Sequence, residues 1–224
     1  MGLPEPPRQM AARRSLWADL KEGAAFTARQ PLLRAILLTA VAWNVSWFIM
    51  QAVFVLYALQ KLGMSAAGVG AALGMCGAGM VTGAALASRI ARHVRFGALV
   101  TVGPVVSLLA ALVLAASVQW PTPALAFIAM FLFGAGPILW TIAQTTLRQA
   151  ITPAVLLGRV SALMMMATFG MRPLGALLGG FVGARFGLEV AICLGASGFA
   201  VQATIILASS VPRLASLPEE ASAA

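Results

Sequence analysis

Three sets of polar or adaptable side chains recur at helical spacing in a chain that is otherwise apolar. They are Asn44, Trp47 and Gln51; Trp140, Gln144 and Arg148; and Ser161, Met165, Thr168 and Arg172. Steps of three and four residues bring each set onto one face of a helix. Amides, hydroxyls and a guanidinium in such surroundings can grip a ligand through hydrogen bonds and charge, or tie one helix to another. Either use places them in the interior of a bundle or along a water-filled cavity, because lipid offers them nothing.

Bond-making chemistry has weaker material. The stretch "GASG" at 195–198 is similar to the serine motif of six-span rhomboid proteases, but no histidine follows Ser197. A serine without a base is a poor nucleophile. No spacing of metal ligands and no phosphate-cradling loop occurs either, so no catalytic residue, metal or cofactor is expected and an enzyme is excluded. The single histidine, His93, lies in the basic stretch "SRIARHVR".

Arg172 poses the sharpest question. It stands twelve residues from either end of its apolar run, roughly 18 Å at a rise of about 1.5 Å per residue, beyond the reach of a snorkelling arginine. No Asp or Glu occurs between Glu22 and Glu189. Its partner is therefore expected to be a carbonyl freed by Pro173, a substrate, or a residue of another polypeptide. The same lack of acids leaves no titratable carboxylate or histidine in the membrane, so proton coupling cannot be housed in these residues alone.

The elements that must position these side chains are set by composition. Hydrophobic residues make up 61% of the chain and charged ones 9%, against roughly 25% charged in soluble domains. Runs long enough to cross a bilayer, about 20 residues each, lie at 35–59, 66–87, 98–118, 123–147, 160–184 and 190–209. The expected fold is all-α and integral to the membrane, a six-span bundle over 34–210. It is preceded by a basic tether with a short amphipathic surface helix in 1–33, capped by Ser15, and followed by a tail at 211–224.

The net charge of +9 is distributed by side. Arg8, Arg13, Arg14, Lys21, Arg29, Arg34, Arg89, Arg92, Arg95, Arg148, Arg159 and Arg213 fall at one end of the bundle, and Lys61 and Arg185 at the other. Such asymmetry places the first end, with both termini, in the cytoplasm. The basicity thus points to anionic lipid and not to nucleic acid. Cys76 and Cys193 fall within spans and read as small packing residues.

Glycines are spaced by four in the second and fifth spans: Gly70 and Gly74, Gly79 and Gly83, and Gly175, Gly179 and Gly183. That spacing strips one helix face for close backbone approach, whereas the Leu- and Val-rich third and sixth spans look suited to lipid. Gly83 and Arg89 recur 96 positions later as Gly179 and Arg185, which suggests two inverted three-span units.

The stretch "LRQAITPAVLLGRV" followed by "RPLGALLGG" resembles the C-terminal half of a major facilitator superfamily transporter, in the bacterial branch of enterobactin-exporter-like and macrolide-efflux-like proteins. The likeness runs from about Leu16 to Ser209. The superfamily's loop pattern survives as Arg89, Arg92 and His93, with Ala84, Ser88 and Ala91 where Gly, Asp and Gly are usual. It survives again as Gly180, Arg185 and Gly187, with Ala184 in place of the acid. The resemblance implies alternating-access export of hydrophobic or amphiphilic molecules, of drug or siderophore type, across a bacterial inner membrane. It implies a cavity lined by the first and fourth spans and a second six-span half, met through the glycine faces of the second and fifth. That partner is a separate chain, a missing segment or a second copy; a non-transporting scaffold is the remaining alternative.

Overall fold

The computed structural model describes residues 16–218, all of whose regular elements are helical. Ser15, the tether with Arg8, Arg13 and Arg14, and residues 219–224 lie outside the described residues. A short helix, α1 (Leu16–Arg29), is followed by α2 (Pro31–Gln60), α3 (Ala66–His93), α4 (Phe96–Ala116), α5 (Pro123–Ile151), α6 (Ala154–Phe186) and α7 (Leu188–Ala208). Among the described residues, α2 to α7 are the six helices long and apolar enough to cross a bilayer.

Local chemistry sets their ends. Pro31 and Pro123 occupy first-turn positions of α2 and α5, where no amide donor is needed. Ser65 caps α3 by accepting from the Gly68 amide at 3.1 Å. Gly187, with φ of 103°, forms the whole joint between α6 and α7, a backbone conformation that a side chain would strain.

Several helices outrun the apolar stretches. The third helix continues through Arg89, Arg92 and His93, and α6 begins at Ala154, ahead of Arg159. Charged residues carry a helix on into the headgroup region, so hydropathy marks only the part within hydrocarbon.

Packing is reciprocal. The first helix of one triplet, α2, packs on α6 and α7, while the first of the other, α5, packs on α3 and α4. Exchange of this form is what a two-fold relation between the triplets would produce. The glycines make the close crossings possible. A Cβ on Gly83 would lie 2.5 Å from the Ala135 carbonyl on α5, and one on Gly175 would lie 2.6 Å from the Val45 carbonyl on α2. Gly79 is pressed on Phe131, and Gly179 and Gly183 on Ile49 and Val53. The glycines expected to meet a second half are therefore occupied by this chain's own helices. Gly70, Gly74 and Gly77 instead face open space.

A second expectation is also corrected. Half of the apolar window of α4 and 44% of that of α7 are buried inside the bundle, against 22% for α3 and 11% for α6. Leucine and valine suit lipid and protein interior equally, so their abundance could not tell the two apart. Ala110, Ala111 and Leu114 of α4 are fully buried, while Leu109 and Leu112 remain on the surface.

Both ends of the described residues are tied to the bundle. Arg159 at the start of α6 pairs with Asp19 and Glu22 of α1, each at 2.8 Å, and Gly23 admits the Arg159 backbone alongside. The short helix expected on the membrane surface thus rests on α6. Beyond α7, Val211 is fully buried and the Leu214 carbonyl accepts from the Gly97 amide at 2.9 Å, so the expected tail begins as part of the core. At the opposite end Lys61 pairs with Glu189.

Candidate functional site

A cleft of about 450 Å³ opens between α2, α5 and α6 in the half of the bundle nearest the arginine-rich end. Its walls carry Asn44 from α2; Trp140, Gln144 and Arg148 from α5; and Ser161, Met165, Thr168 and Arg172 from α6. Three stripes separated by up to 128 positions in sequence thus share one space. Trp43, Met164 and Phe169 contribute to its apolar surface.

Arg172 is held from two sides. Its Nε donates to Asn44 Oδ1 at 3.1 Å, and its guanidinium carbon lies 4.0 Å from the centre of the Phe169 ring and 5.4 Å from that of Phe48. Asn44 is itself anchored, donating from Nδ2 to the Ala40 carbonyl at 2.9 Å, and is buried. This overturns the expectation that the chain could offer Arg172 nothing better than a backbone oxygen. An amide side chain 128 residues away supplies the acceptor, and aromatic faces supply cation–π contact. Pairing of this kind leaves no signature in spacing. Phe169, three residues before Arg172 on the same helix face, was legible in sequence as an i,i+3 neighbour but is absent from the polar stripes.

On α5 the polar groups are less well served. Gln144 Nε2 donates to Thr145 Oγ1 at 3.0 Å. Arg148 sends Nη1 toward the Met164 sulfur at 3.6 Å, while its Nε and the Trp140 Nε1 are buried without a protein acceptor. Thr168 Oγ1 donates back to the Met164 carbonyl at 2.7 Å, and Met165 is mostly exposed to the open side of the cleft. The lining has two guanidiniums and no carboxylate.

Two candidates fall outside. Trp47 stacks on Trp43 at 5.6 Å between centroids and meets Phe133 edge-on at 4.8 Å, within an aromatic cluster completed by Phe199. That cluster fills the bundle beyond the cleft. Gln51 lies one further turn along α2, past the cluster, and is exposed. The spacing that groups it with Asn44 carries no information on depth along the helix. Arg89, Arg92 and Arg185 are exposed at helix ends, and His93 bonds back to the Arg89 carbonyl. Ser197 Oγ donates to the Leu194 carbonyl at 2.7 Å, a hydroxyl tied into its own helix.

A six-helix membrane bundle with a polar cleft toward one end has the form of half a facilitator fold, and the sequence profile of the major facilitator family described as transmembrane secretion effectors matches residues 4–224. The chain belongs to this family. No curated protein and no solved structure matches it. Membership makes the chain a multi-pass membrane transporter and not an enzyme.

Proposed function

We propose that the chain is one six-helix half of an alternating-access exporter of hydrophobic or amphiphilic small molecules, drug- or siderophore-like, in a bacterial inner membrane. The observation that carries this reading is the cleft, where methionine and tryptophan surfaces adjoin a few polar groups inside the bundle. Its position toward the arginine-rich end, which the positive-inside rule assigns to the cytoplasm along with both termini, supports an inward-facing state. The aromatic cluster of Trp43, Trp47, Phe133 and Phe199 is the barrier on the far side. The word "secretion" in the family's description supports the outward direction.

A second six-helix half is supported by what α3 and α6 leave uncovered. The glycine face at Gly70, Gly74 and Gly77 is open, and Leu174, Leu177 and Phe181 of α6 are exposed. The second half is a separate chain, a further segment or a second copy. The test is efflux of the neutral dye N-phenyl-1-naphthylamine from energised cells expressing the chain, with Gly74→Cys crosslinking to capture the partner. Dye accumulation should fall when the chain is expressed, by itself or together with the partner captured through Gly74→Cys, and recover in Trp140→Ala; accumulation unchanged in both cases would defeat the reading.

A further inference from the structure

We propose that the cleft binds an amphiphilic organic anion, its negatively charged group drawn to the two arginines of the lining, Arg172 and Arg148. As a statement about substrate the inference rests on the transport reading; as a statement about binding it stands on charge and geometry alone.

The cleft has an unbalanced charge. Arg172 and Arg148 both line it, no acidic side chain does, and the sequence has none from Gly23 to Leu188. Guanidinium groups remain protonated under any physiological condition. Asn44 satisfies one N–H of Arg172 but neutralises nothing, and the Phe169 ring covers one face of the guanidinium plane. A stacked guanidinium keeps its edge free, and the Nη groups of Arg172 have no hydrogen-bond partner among the described residues. That edge is the fork that meets carboxylate, sulfonate or phosphate oxygens in pairs. Arg148 has a thioether for one N–H and no acceptor for its buried Nε. A thioether sulfur is a weak acceptor. Both arginines are therefore supplied with neutral contacts that position them and with no counter-charge.

The surroundings define the rest of the ligand. Trp43, Trp140, Met164 and Phe169 form walls for an aromatic or lipid-like body. The volume lies in the range of about 300–1,000 Å³ typical of small-molecule sites. Lipophilic cations, by contrast, would meet two like charges in low dielectric.

The anion has two possible sources, a soluble organic acid or a phospholipid headgroup, and one experiment separates them. The 224-residue chain is placed in nanodiscs of phosphatidylcholine and titrated with 1-anilinonaphthalene-8-sulfonate and with N-phenyl-1-naphthylamine, which lacks the sulfonate. The anionic dye should bind about tenfold more tightly, as a charge-assisted contact implies. Arg172→Gln and Arg148→Gln should each remove about that preference while leaving the neutral dye unaffected, so neutral-dye binding also reports a folded cleft. Arg148→Gln leaves the Asn44 bridge untouched and keeps the test valid if the Arg172 variant fails to fold. Arg185→Gln, outside the cleft, should change nothing. With phosphatidylglycerol in the discs, arginine-dependent competition assigns the site to lipid headgroups, and its absence assigns it to a soluble anion; both results uphold the proposal. Equal affinity for the two dyes, or indifference to both cleft substitutions, overturns it. Dye preference without efflux would retain the anion site and remove the transport reading, and efflux without preference would do the reverse.

Discussion

The bond between Arg172 and Asn44 lends itself to a double-mutant cycle of Asn44→Leu, Arg172→Met and the pair. A hydrogen bond to a charged group contributes about 1.5–3 kcal/mol in soluble proteins. Between membrane helices the measured couplings are smaller, averaging about 0.6 kcal/mol and reaching about 1.7. The 3.1 Å bond involves a cation, and Asn44 is 7% exposed, so little water competes at the acceptor. Those features put the coupling near the top of the membrane range, about 1.5 kcal/mol or roughly tenfold in the unfolding equilibrium. Asn44→Leu alone should cost more than the coupling, about 2 kcal/mol, because it leaves a guanidinium N–H at depth without an acceptor. In the Arg172→Met background the same substitution should cost only a fraction of that. The measurement is equilibrium unfolding in mixed micelles, with helicity and tryptophan fluorescence as two probes. A coupling below about 0.3 kcal/mol, within the error of additivity, would show that the bond does not hold α2 to α6 and that the stacking on Phe169 positions Arg172 unaided.

Two further outcomes follow from the packing. Gly83→Val should lower the unfolding midpoint sharply, by about 3 kcal/mol in stability, since its Cβ would strike the Ala135 backbone, whereas Gly74→Val, facing open space, should leave it unchanged. Arg159→Gln should release α1, seen as faster amide exchange across 16–29 with α2 to α7 unaffected; the pair is partly exposed, so the wild-type protection should also weaken at high salt.

Much of the fold was legible because membrane insertion is a coarse filter. Length and apolarity fix the number of spans, and the placement of arginines orders their ends. Helical spacing likewise placed Asn44, Trp140, Gln144, Met165, Thr168 and Arg172 on faces that the bundle brings to one cleft. What spacing cannot carry is depth and partnership. Trp47 and Gln51 share the stripe of Asn44, yet Trp47 belongs to the aromatic cluster and Gln51 lies past it, and nothing local to Arg172 announces Asn44. The glycine stripes were legible as close-approach surfaces but not as to which helix approaches. Gly83 and Gly179 meet α5 and α2, because a bare helix face is filled by whichever backbone the chain itself can bring.

The choice of an amide at position 44 separates structural from functional demands on Arg172. If the bundle needed only a secure partner for a buried guanidinium, a carboxylate there would serve better, since an ion pair at depth supplies both an acceptor and a counter-charge. An amide tethers the group and leaves its charge whole. Asn44→Asp, nearly equal in shape, should therefore hold or raise the stability of the bundle while cancelling half the positive charge of the cleft. Binding of 1-anilinonaphthalene-8-sulfonate should weaken by about tenfold, with the neutral dye unaffected. The pair of measurements has an asymmetric outcome. Stability retained with anion binding lost would mean that the charge is kept for a ligand. Anion binding unchanged in a variant that folds would mean that Arg172 serves only the seam between α2 and α6, and that Arg148 alone meets whatever enters.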